Sequence, residues 1–103
     1  MDALSRANYV RIGRAEIKRE ITQGMCSVLD VIECQPDVCD SMSIRELLCL
    51  QHRWGLTRVR KFLNECRYLT PPLALNENRQ IGKLTKRERR VLLVRLEERY
   101  ELL

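Results

Sequence analysis

The sequence of 103 residues has few aromatic residues, and this shortage is informative about its fold class. Phe, Trp and Tyr together make up 5% of the chain, whereas hydrophobic residues of all kinds make up 45%. Because aromatic and β-branched residues favour strands, the composition favours helices packed through aliphatic side chains over a sandwich of strands. A chain of this length can bury one hydrophobic core but not two. We therefore expect residues 1–103 to form a single helical domain.

Long apolar segments are also absent. The N-terminus has no apolar run as long as that of a signal peptide. No segment has the roughly 20 consecutive apolar residues that a membrane-spanning helix requires. The expected location is therefore the cytoplasm, with no membrane partner. In that compartment the five cysteines remain thiols, and their odd number argues against a disulfide framework.

Motifs typical of metal sites and catalytic centres are missing as well. Cys26, Cys34 and Cys39 make a zinc site conceivable, but no Cys-x-x-Cys pair exists and the single histidine, His52, is distant in sequence. His52 has no neighbouring nucleophile and acid, and there is no phosphate-loop glycine motif. We therefore expect the protein to have no enzymatic activity and to bind no cofactor, no metal ion and no small-molecule substrate.

Positive charge is in excess and unevenly distributed. The net charge of +5 and the isoelectric point near 9.2 are typical of proteins that bind a polyanion. Residues 25–50 hold five acidic residues and one arginine, whereas residues 51–67 hold five basic residues and one acid. Residues 79–95 hold seven basic residues and one acid. This distribution predicts a molecule with one preferred face toward anions.

Capping signals and apolar periodicity predict the helices. The first helix is expected within residues 1–24, with Gly24 as its stop. Three hydroxyl residues are each followed by an acid three positions later, which is the capping-box pattern of a helix start: Ser27 with Asp30, Ser43 with Glu46, and Thr85 with Glu88. They predict helices over residues 28–34, from 43 to about 53, and over 85–101.

Residues 43–67 are expected to contain two helices joined by a tight turn. Gly55 supplies a permissive backbone for the reversal, and Thr57 is a suitable N-cap for the second helix. In that helix four apolar residues share one face, so the basic residues fall on the other: the apolar set is Val59, Phe62, Leu63 and Cys66. Residues 68–84 are expected to be a loop, with Leu73 and Leu75 packed onto the body.

Basic residues crowd the starts of the helices that follow residues 55 and 85. The start of a helix carries free N–H groups and about half a positive charge, so each cation there is unfavourable by roughly 0.3–1 kcal/mol. A bound phosphate would reverse this effect. The candidate nucleic-acid-binding residues are Arg53, Trp54, Gly55, Thr57, Arg58, Arg60, Lys61, Lys83, Lys86, Arg87 and Arg90. The alternative interpretation is a solvated basic face.

Two further features have alternative interpretations. Arg11, Arg14 and Lys18 lie on one stripe of the first helix, where either a subsidiary phosphate contact or a solvated face is expected. Trp54 is interpreted mainly as a packing residue of the turn, and secondarily as a wedge that stacks on or inserts between bases.

Four short segments occur in an order that resembles the actinobacterial, mycobacterial-type integration host factor, over roughly residues 10–95. They are residues 27–32 (SVLDVI), 42–48 (MSIRELL), 55–60 (GLTRVR) and 81–85 (IGKLT). The resemblance implies a helical fold with a helix-two-turns-helix element. It also implies a protein that binds duplex DNA, shapes the nucleoid and assists phage integration, so that a site-specific recombinase is a candidate partner. Trp54 and Thr57 stand where that family usually has proline and glycine.

The sequence as a whole predicts an all-α fold of about five helices and a non-enzymatic architectural protein that binds double-stranded DNA. Contacts to the phosphate backbone carry little sequence preference. Two alternatives remain open from the residues alone. One is an RNA-binding or ribosome-associated protein that holds RNA phosphates in the same way, and the other is a helical adaptor for an acidic protein partner.

Overall fold

The computed structural model describes residues 2–68 and 72–101, with side chains up to residue 98 in the last helix. No strand occurs in these residues, although an isolated bridge joins Ser43 and Gln80. The five helices are α1 (Ala3–Thr22), α2 (Val28–Cys34), α3 (Ile44–Leu48), α4 (Leu56–Cys66) and α5 (Lys86–Glu101). Single 3₁₀ turns occupy Asp37–Cys39 and Ile81–Lys83. The expected all-α fold of about five helices is confirmed.

Reciprocal capping boxes begin α2 and α5, as predicted. The Ser27 hydroxyl accepts the Asp30 N–H at 3.2 Å, and the Asp30 carboxylate accepts the Ser27 N–H at 3.0 Å. Thr85 and Glu88 form the same pair of bonds at 3.1 and 3.0 Å. Each box satisfies two backbone donors that a helix start otherwise leaves free. The N-terminal boundaries of both helices therefore follow from residues within one turn.

The third helix is shorter than the sequence predicts. It begins after the Ser43 cap, whose hydroxyl accepts the Glu46 N–H at 3.1 Å, but it ends at Leu48 instead of near Arg53. The chain tightens after Leu48, because the next backbone bonds span three residues, and the buried Gln51 side chain donates to the Leu48 carbonyl at 3.1 Å. Two turns over residues 49–53 then lead toward α4, which gives the helix, two turns, helix arrangement.

The reversal between α3 and α4 uses Arg53, which corrects the predicted role of Gly55. Arg53 has a φ of 65°, in the left-handed region. Gly55 is extended, with φ −88° and ψ 178°, a conformation open to any residue. It is Gly55, and not Thr57, that caps α4, and it does so without a side-chain hydrogen bond. Thr57 lies inside the first turn of the helix.

One hydrophobic core joins the helices. The α4 residues predicted to face it are all buried, and α5 contributes the fully buried Leu92 and Leu96. The first helix has no buried residue, and Ile17 and Ile21 only pack against the edge of the core. Apolar periodicity in the sequence also predicts Tyr100 and Leu103 on the buried stripe of α5, but the side chain of Tyr100 and the whole of Leu103 lie outside the described part of the chain. No helix among the described residues is long and apolar enough to cross a membrane.

The segment before α5 closes the core, as expected of Leu73 and Leu75, which are both buried. Residues 79–82 run beside residues 40–44. The Ile44 N–H donates to the Arg79 carbonyl, and the Ile81 N–H donates to the Met42 carbonyl, each at 2.9 Å. This pairing places the start of α5 next to the loop that precedes α3.

Close backbone approach and one arginine hold α1 to the body. A Cβ atom on Gly13 would lie 2.6 Å from Val38 Cγ1, so only glycine permits this packing without movement. The Arg14 side chain donates from Nε to the Val38 carbonyl at 2.7 Å and from Nη2 to the Ser41 hydroxyl. Arg14 therefore connects α1 to the Asp37–Cys39 turn. This structural role differs from both roles expected from the sequence, a subsidiary phosphate contact and a place on a solvated face.

Replacing Gly82 by alanine should destabilise the protein. The new Cβ would lie 2.9 Å from Asp40 Cβ and 3.0 Å from the Asp40 carbonyl oxygen, so the paired segments must separate. We expect the free energy of unfolding to fall by about 1–3 kcal/mol, measured by urea denaturation. The matched control is Gly55→Ala, whose Cβ meets no atom within 4 Å and should change stability by less than about 0.5 kcal/mol. Equal stability of the two variants would contradict this packing.

Candidate nucleic-acid interface

The basic turn is built on a buried tryptophan. Trp54 is 5% exposed, and its ring meets the ring of Phe62 edge to face, with centroids 5.5 Å apart and an interplanar angle of 67°. Phe62 belongs to the buried face of α4, so this contact fixes the turn against the second helix. The packing role expected of Trp54 is confirmed, since a side chain this deeply buried is not available to insert between bases.

Arg58 lies over the outer side of this tryptophan. The central carbon of its guanidinium group is 5.0 Å from the Trp54 ring centroid, within the range of a cation–π contact. The contact positions the side chain but uses none of its N–H donors. Among the described residues Arg58 has no carboxylate partner and no side-chain hydrogen bond, so those donors remain available to an anion.

The start of α4 is open and lacks a side-chain cap. Its first N–H groups have no partner within the helix, Gly55 has no side chain to accept them, and no acidic residue lies in the first turn. A Cβ on Gly55 would meet nothing within 4 Å, so the space in front of these donors is free. Arg53, Thr57 and Lys61 surround this helix start and are exposed. The sequence predicts basic residues at a helix start that has no anion to compensate its positive charge, and the start of α4 has this arrangement.

Arg60 has a protein partner. It donates from Nε to Glu77 at 2.9 Å and from Nη2 at 3.2 Å, in the parallel geometry of a guanidinium–carboxylate pair. The hydrogen bond from Arg60 holds the pKa of Glu77 below its usual value, and the same bond raises the pKa of Arg60. Arg60 therefore faces the segment around Glu77, whereas Arg58 lies over the tryptophan.

A second exposed basic cluster lies at the start of α5. Its members have no ion-pair or hydrogen-bonding partner for their side chains among the described residues: Lys83, Lys86, Arg87 and Arg90. The nearby Arg79 differs, because it donates to the Glu88 carboxylate at 2.9 Å and to the Lys83 carbonyl at 3.0 Å.

The two helix starts are electrostatically different. At α5 the Glu88 carboxylate lies in the first turn, completes the capping box and is itself paired with Arg79. The positive end of α5 therefore already has an internal anion, which the sequence-based argument about its crowded cations did not include. The corresponding position at α4 has no acid. Of these two helix starts, α4 is the one whose unpaired cations lie beside N–H donors with neither a side-chain cap nor an acid.

The segment around residues 77–79 links the two basic clusters. Glu77 pairs with Arg60 on α4, and Arg79, two residues later, pairs with Glu88 on α5. Neither residue was identified from the sequence as part of the interface. The Arg60–Glu77 pair spans 17 positions, so no local pattern could have indicated it.

The cysteines form no metal centre in the described part of the chain. No three His, Cys, Asp or Glu side chains there are close enough to hold an ion. All five cysteines are free thiols. Burial raises the pKa of the Cys39 thiol, and the smaller burial of Cys26 raises its pKa as well. These two thiols therefore stay protonated at neutral pH, as expected of packing residues.

The fold is similar to that of a solved structure, the structure of sIHF bound to an 8bp palindromic DNA, with a TM-score of 0.71. The alignment covers 93% of this chain and 98% of that chain, at 21% sequence identity. An identity this low shows a common fold, and the integration-host-factor-like fold implied by the sequence resemblance is confirmed at that level. No protein-family model and no curated protein sequence matches the chain.

Truncating Trp54 should unfold the turn that carries Arg58. Trp54→Ala removes a buried ring from contact with Phe62 and is expected to lower the free energy of unfolding by about 3–5 kcal/mol. Urea denaturation followed by circular dichroism measures this change, since Trp54 is the only tryptophan of the chain. The control Trp54→Phe keeps an aromatic ring and should lose much less. An alanine variant as stable as the parent protein would show that the contact with Phe62 is unimportant.

Proposed function

We propose that the protein is a non-enzymatic, DNA-binding architectural protein that contacts the phosphate backbone of duplex DNA. The observation that carries this proposal is the start of α4, where free N–H groups face open space and Arg58 is held on the Trp54 ring with unused donors. The net charge of +5 supports it. So does the shared fold with a protein whose solved structure contains bound DNA.

In the proposed complex a phosphate lies on the N-terminus of α4. Its oxygens accept the free N–H groups, and the helix dipole favours its negative charge. Arg58 and Lys61 donate to the same phosphate or to the next one along the strand, and Arg53 and the Thr57 hydroxyl complete the contact. The backbone conformation of Gly55 does not require glycine. In the proposed complex its contribution is the absence of a side chain, which leaves room for the phosphate.

The cluster at the start of α5 provides the second contact. Lys83, Lys86, Arg87 and Arg90 are exposed, and neutralising phosphates with such side chains releases counterions from DNA. If about four to six phosphates are neutralised in total, the logarithm of the binding constant should fall with the logarithm of salt concentration with a slope of about −3.6 to −5.4.

We further propose the finer assignment implied by the sequence resemblance. The protein acts as a mycobacterial-type integration host factor in the cytoplasm, on the nucleoid, with a site-specific recombinase as a candidate partner. Residues 1–103 act as one DNA-binding domain, with the N-terminal helix within 1–24, the helix-two-turns-helix element within 43–67 and the C-terminal helix within 85–101. Binding through the backbone gives little preference for sequence.

Charge reversal at the start of α4 should abolish most of the DNA binding. In Arg58→Glu/Lys61→Glu two cations become anions beside the phosphate, and we expect affinity for a short duplex to fall by about two orders of magnitude or more at 100 mM salt. Fluorescence anisotropy with a labelled duplex measures the change. Circular dichroism verifies that the variant is folded.

The matched control is Arg11→Glu/Lys18→Glu on α1, which makes the same change in net charge on a different helix. It should weaken binding much less than the α4 variant does. Equal losses for the two variants would mean that net charge alone determines affinity, and that the start of α4 is not the contact site.

Competition distinguishes duplex DNA from the alternative partners. With labelled duplex bound at fixed salt, unlabelled duplex should displace it at lower concentrations than a structured RNA hairpin of equal length, because A-form RNA spaces its phosphates across different grooves. Preferential displacement by the hairpin would support the RNA-binding alternative. An acidic peptide that competes as well as either nucleic acid would instead support the adaptor.

A further inference from the structure

A polar cavity lies along the C-terminal half of α4, separate from the open start of that helix. Its volume is about 360 Å³, and it is bounded on one side by α4 and on the other by residues 75–78. The α4 side presents Arg60, Asn64 and Arg67, and the floor is formed by the buried Leu63 and Leu75. The cavity is therefore open to solvent, rich in hydrogen-bond donors and apolar at its base.

Positive charge exceeds negative charge in and around this cavity. Glu77 is its only acidic lining residue, and that carboxylate accepts both N–H bonds from Arg60 and lies 3.9 Å from Arg45. The side chains of Asn64 and Arg67 have no partner among the described residues. The lining of the cavity thus holds one carboxylate and two arginines, Arg60 and Arg67, and Arg45 lies beside that carboxylate.

The geometry of the Arg60–Glu77 pair is also that of an arginine bound to phosphate. A guanidinium group offers two parallel N–H donors, and a carboxylate or a phosphate accepts them in the same way. The distances of 2.9 and 3.2 Å show that both donors are used. The hydrogen bond from Arg60 lowers the pKa of Glu77 further below neutral pH, so another anion must displace it as a charged group.

The cavity continues the polar face of α4 that begins at the helix start. Thr57, Arg60 or Lys61, Asn64 and Arg67 recur at spacings of three and four, so they lie along one stripe of the helix. From Thr57 to Arg67 this stripe extends about 15 Å along the axis. A nucleic-acid strand that crosses the start of α4 and follows this stripe would bring a second phosphate to the cavity.

We propose that this cavity is a second phosphodiester site for the same DNA strand, and that the Glu77 carboxylate is an internal substitute which a DNA phosphate displaces from Arg60. This proposal rests on the proposed function, because it requires a duplex at the start of α4. Glu77 then lowers affinity in two ways. It competes for the arginine, and once displaced it leaves a negative charge close to the DNA backbone.

The test is the variant Glu77→Gln, which keeps the size of the side chain and removes its charge. Affinity for a short duplex should increase about two- to fivefold, the range set by an exposed ion pair. The slope of the logarithm of the binding constant against that of salt should change by much less than the roughly 0.9 expected for one phosphate contact, because a phosphate already contacts Arg60 in the complex of the parent protein. The matched control is Glu33→Gln, which makes the same charge change on α2 and should raise affinity less.

A second variant tests the cavity without altering the ion pair. Arg67→Gln should reduce affinity by about two- to fivefold and make the salt slope shallower by about 0.9, whereas Arg11→Gln on α1 should have a smaller effect. Circular dichroism establishes that each variant is folded. If Glu77→Gln does not fold, Arg67→Gln alone decides the question.

The outcomes separate this inference from the proposed function. Equal effects of Glu77→Gln and Glu33→Gln, or weaker binding by Glu77→Gln, would overturn the second site, the latter because Glu77 would then hold Arg60 in a binding conformation. Either result leaves the proposed function intact if Arg58→Glu/Lys61→Glu still loses DNA. A parent protein that binds no duplex at all would overturn both proposals.

Discussion

The contact between Trp54 and Phe62 is the interaction on which the turn and its basic residues depend. The residue before Trp54 is an arginine in the left-handed region, a conformation that is strained by about 1–3 kcal/mol for a residue other than glycine. Such a conformation persists when its surroundings determine it. Burial of the adjacent indole against Phe62 provides that constraint, and the same ring then holds Arg58 at the start of α4. The burial of Trp54 therefore determines both the conformation of the turn and the position of the Arg58 charge.

Several of the 14 acidic residues are used within the protein, and this helps to explain how a net charge of only +5 yields two exposed basic clusters. These carboxylates cap helices or pair with arginines, so their charge is compensated locally. They include Asp2, Asp30 and Glu88 at helix starts, Asp37 with Arg6, Glu77 with Arg60 and Arg45, and Glu98 with Arg95. The lysines and arginines at the start of α5 lack comparable partners among the described residues, so the surplus charge appears there and at the start of α4.

Sequence reasoning succeeded where the relevant residues lie within about one helical turn. The capping boxes of α2 and α5 and the buried face of α4 are of this kind. It failed where a contact joins distant positions, since Arg14 bonds to a carbonyl 24 positions away and Arg60 pairs across 17 positions. It also failed at two local features without a capping signature, the early end of α3 beside the buried Gln51 and the cap of α4 at Gly55 instead of Thr57. The candidate residues Arg58 and Lys61 were found because local periodicity alone directs them away from the core, whereas no periodicity reveals which cations already have partners.

The difference between the two helix starts gives them different roles in the proposed complex. At α4 the phosphate would meet fixed backbone donors and Arg58, which is held on the Trp54 ring, so the geometry of the hydrogen bonds would fix its position. At α5 the helix start is already capped by Glu88, and only long flexible side chains such as Lys86 and Arg87 are offered. Flexible cations neutralise charge over a range of positions but define none. In the proposed complex the start of α4 would therefore set where the protein lies on the backbone, while the α5 cluster would add affinity and adapt to the path of the DNA.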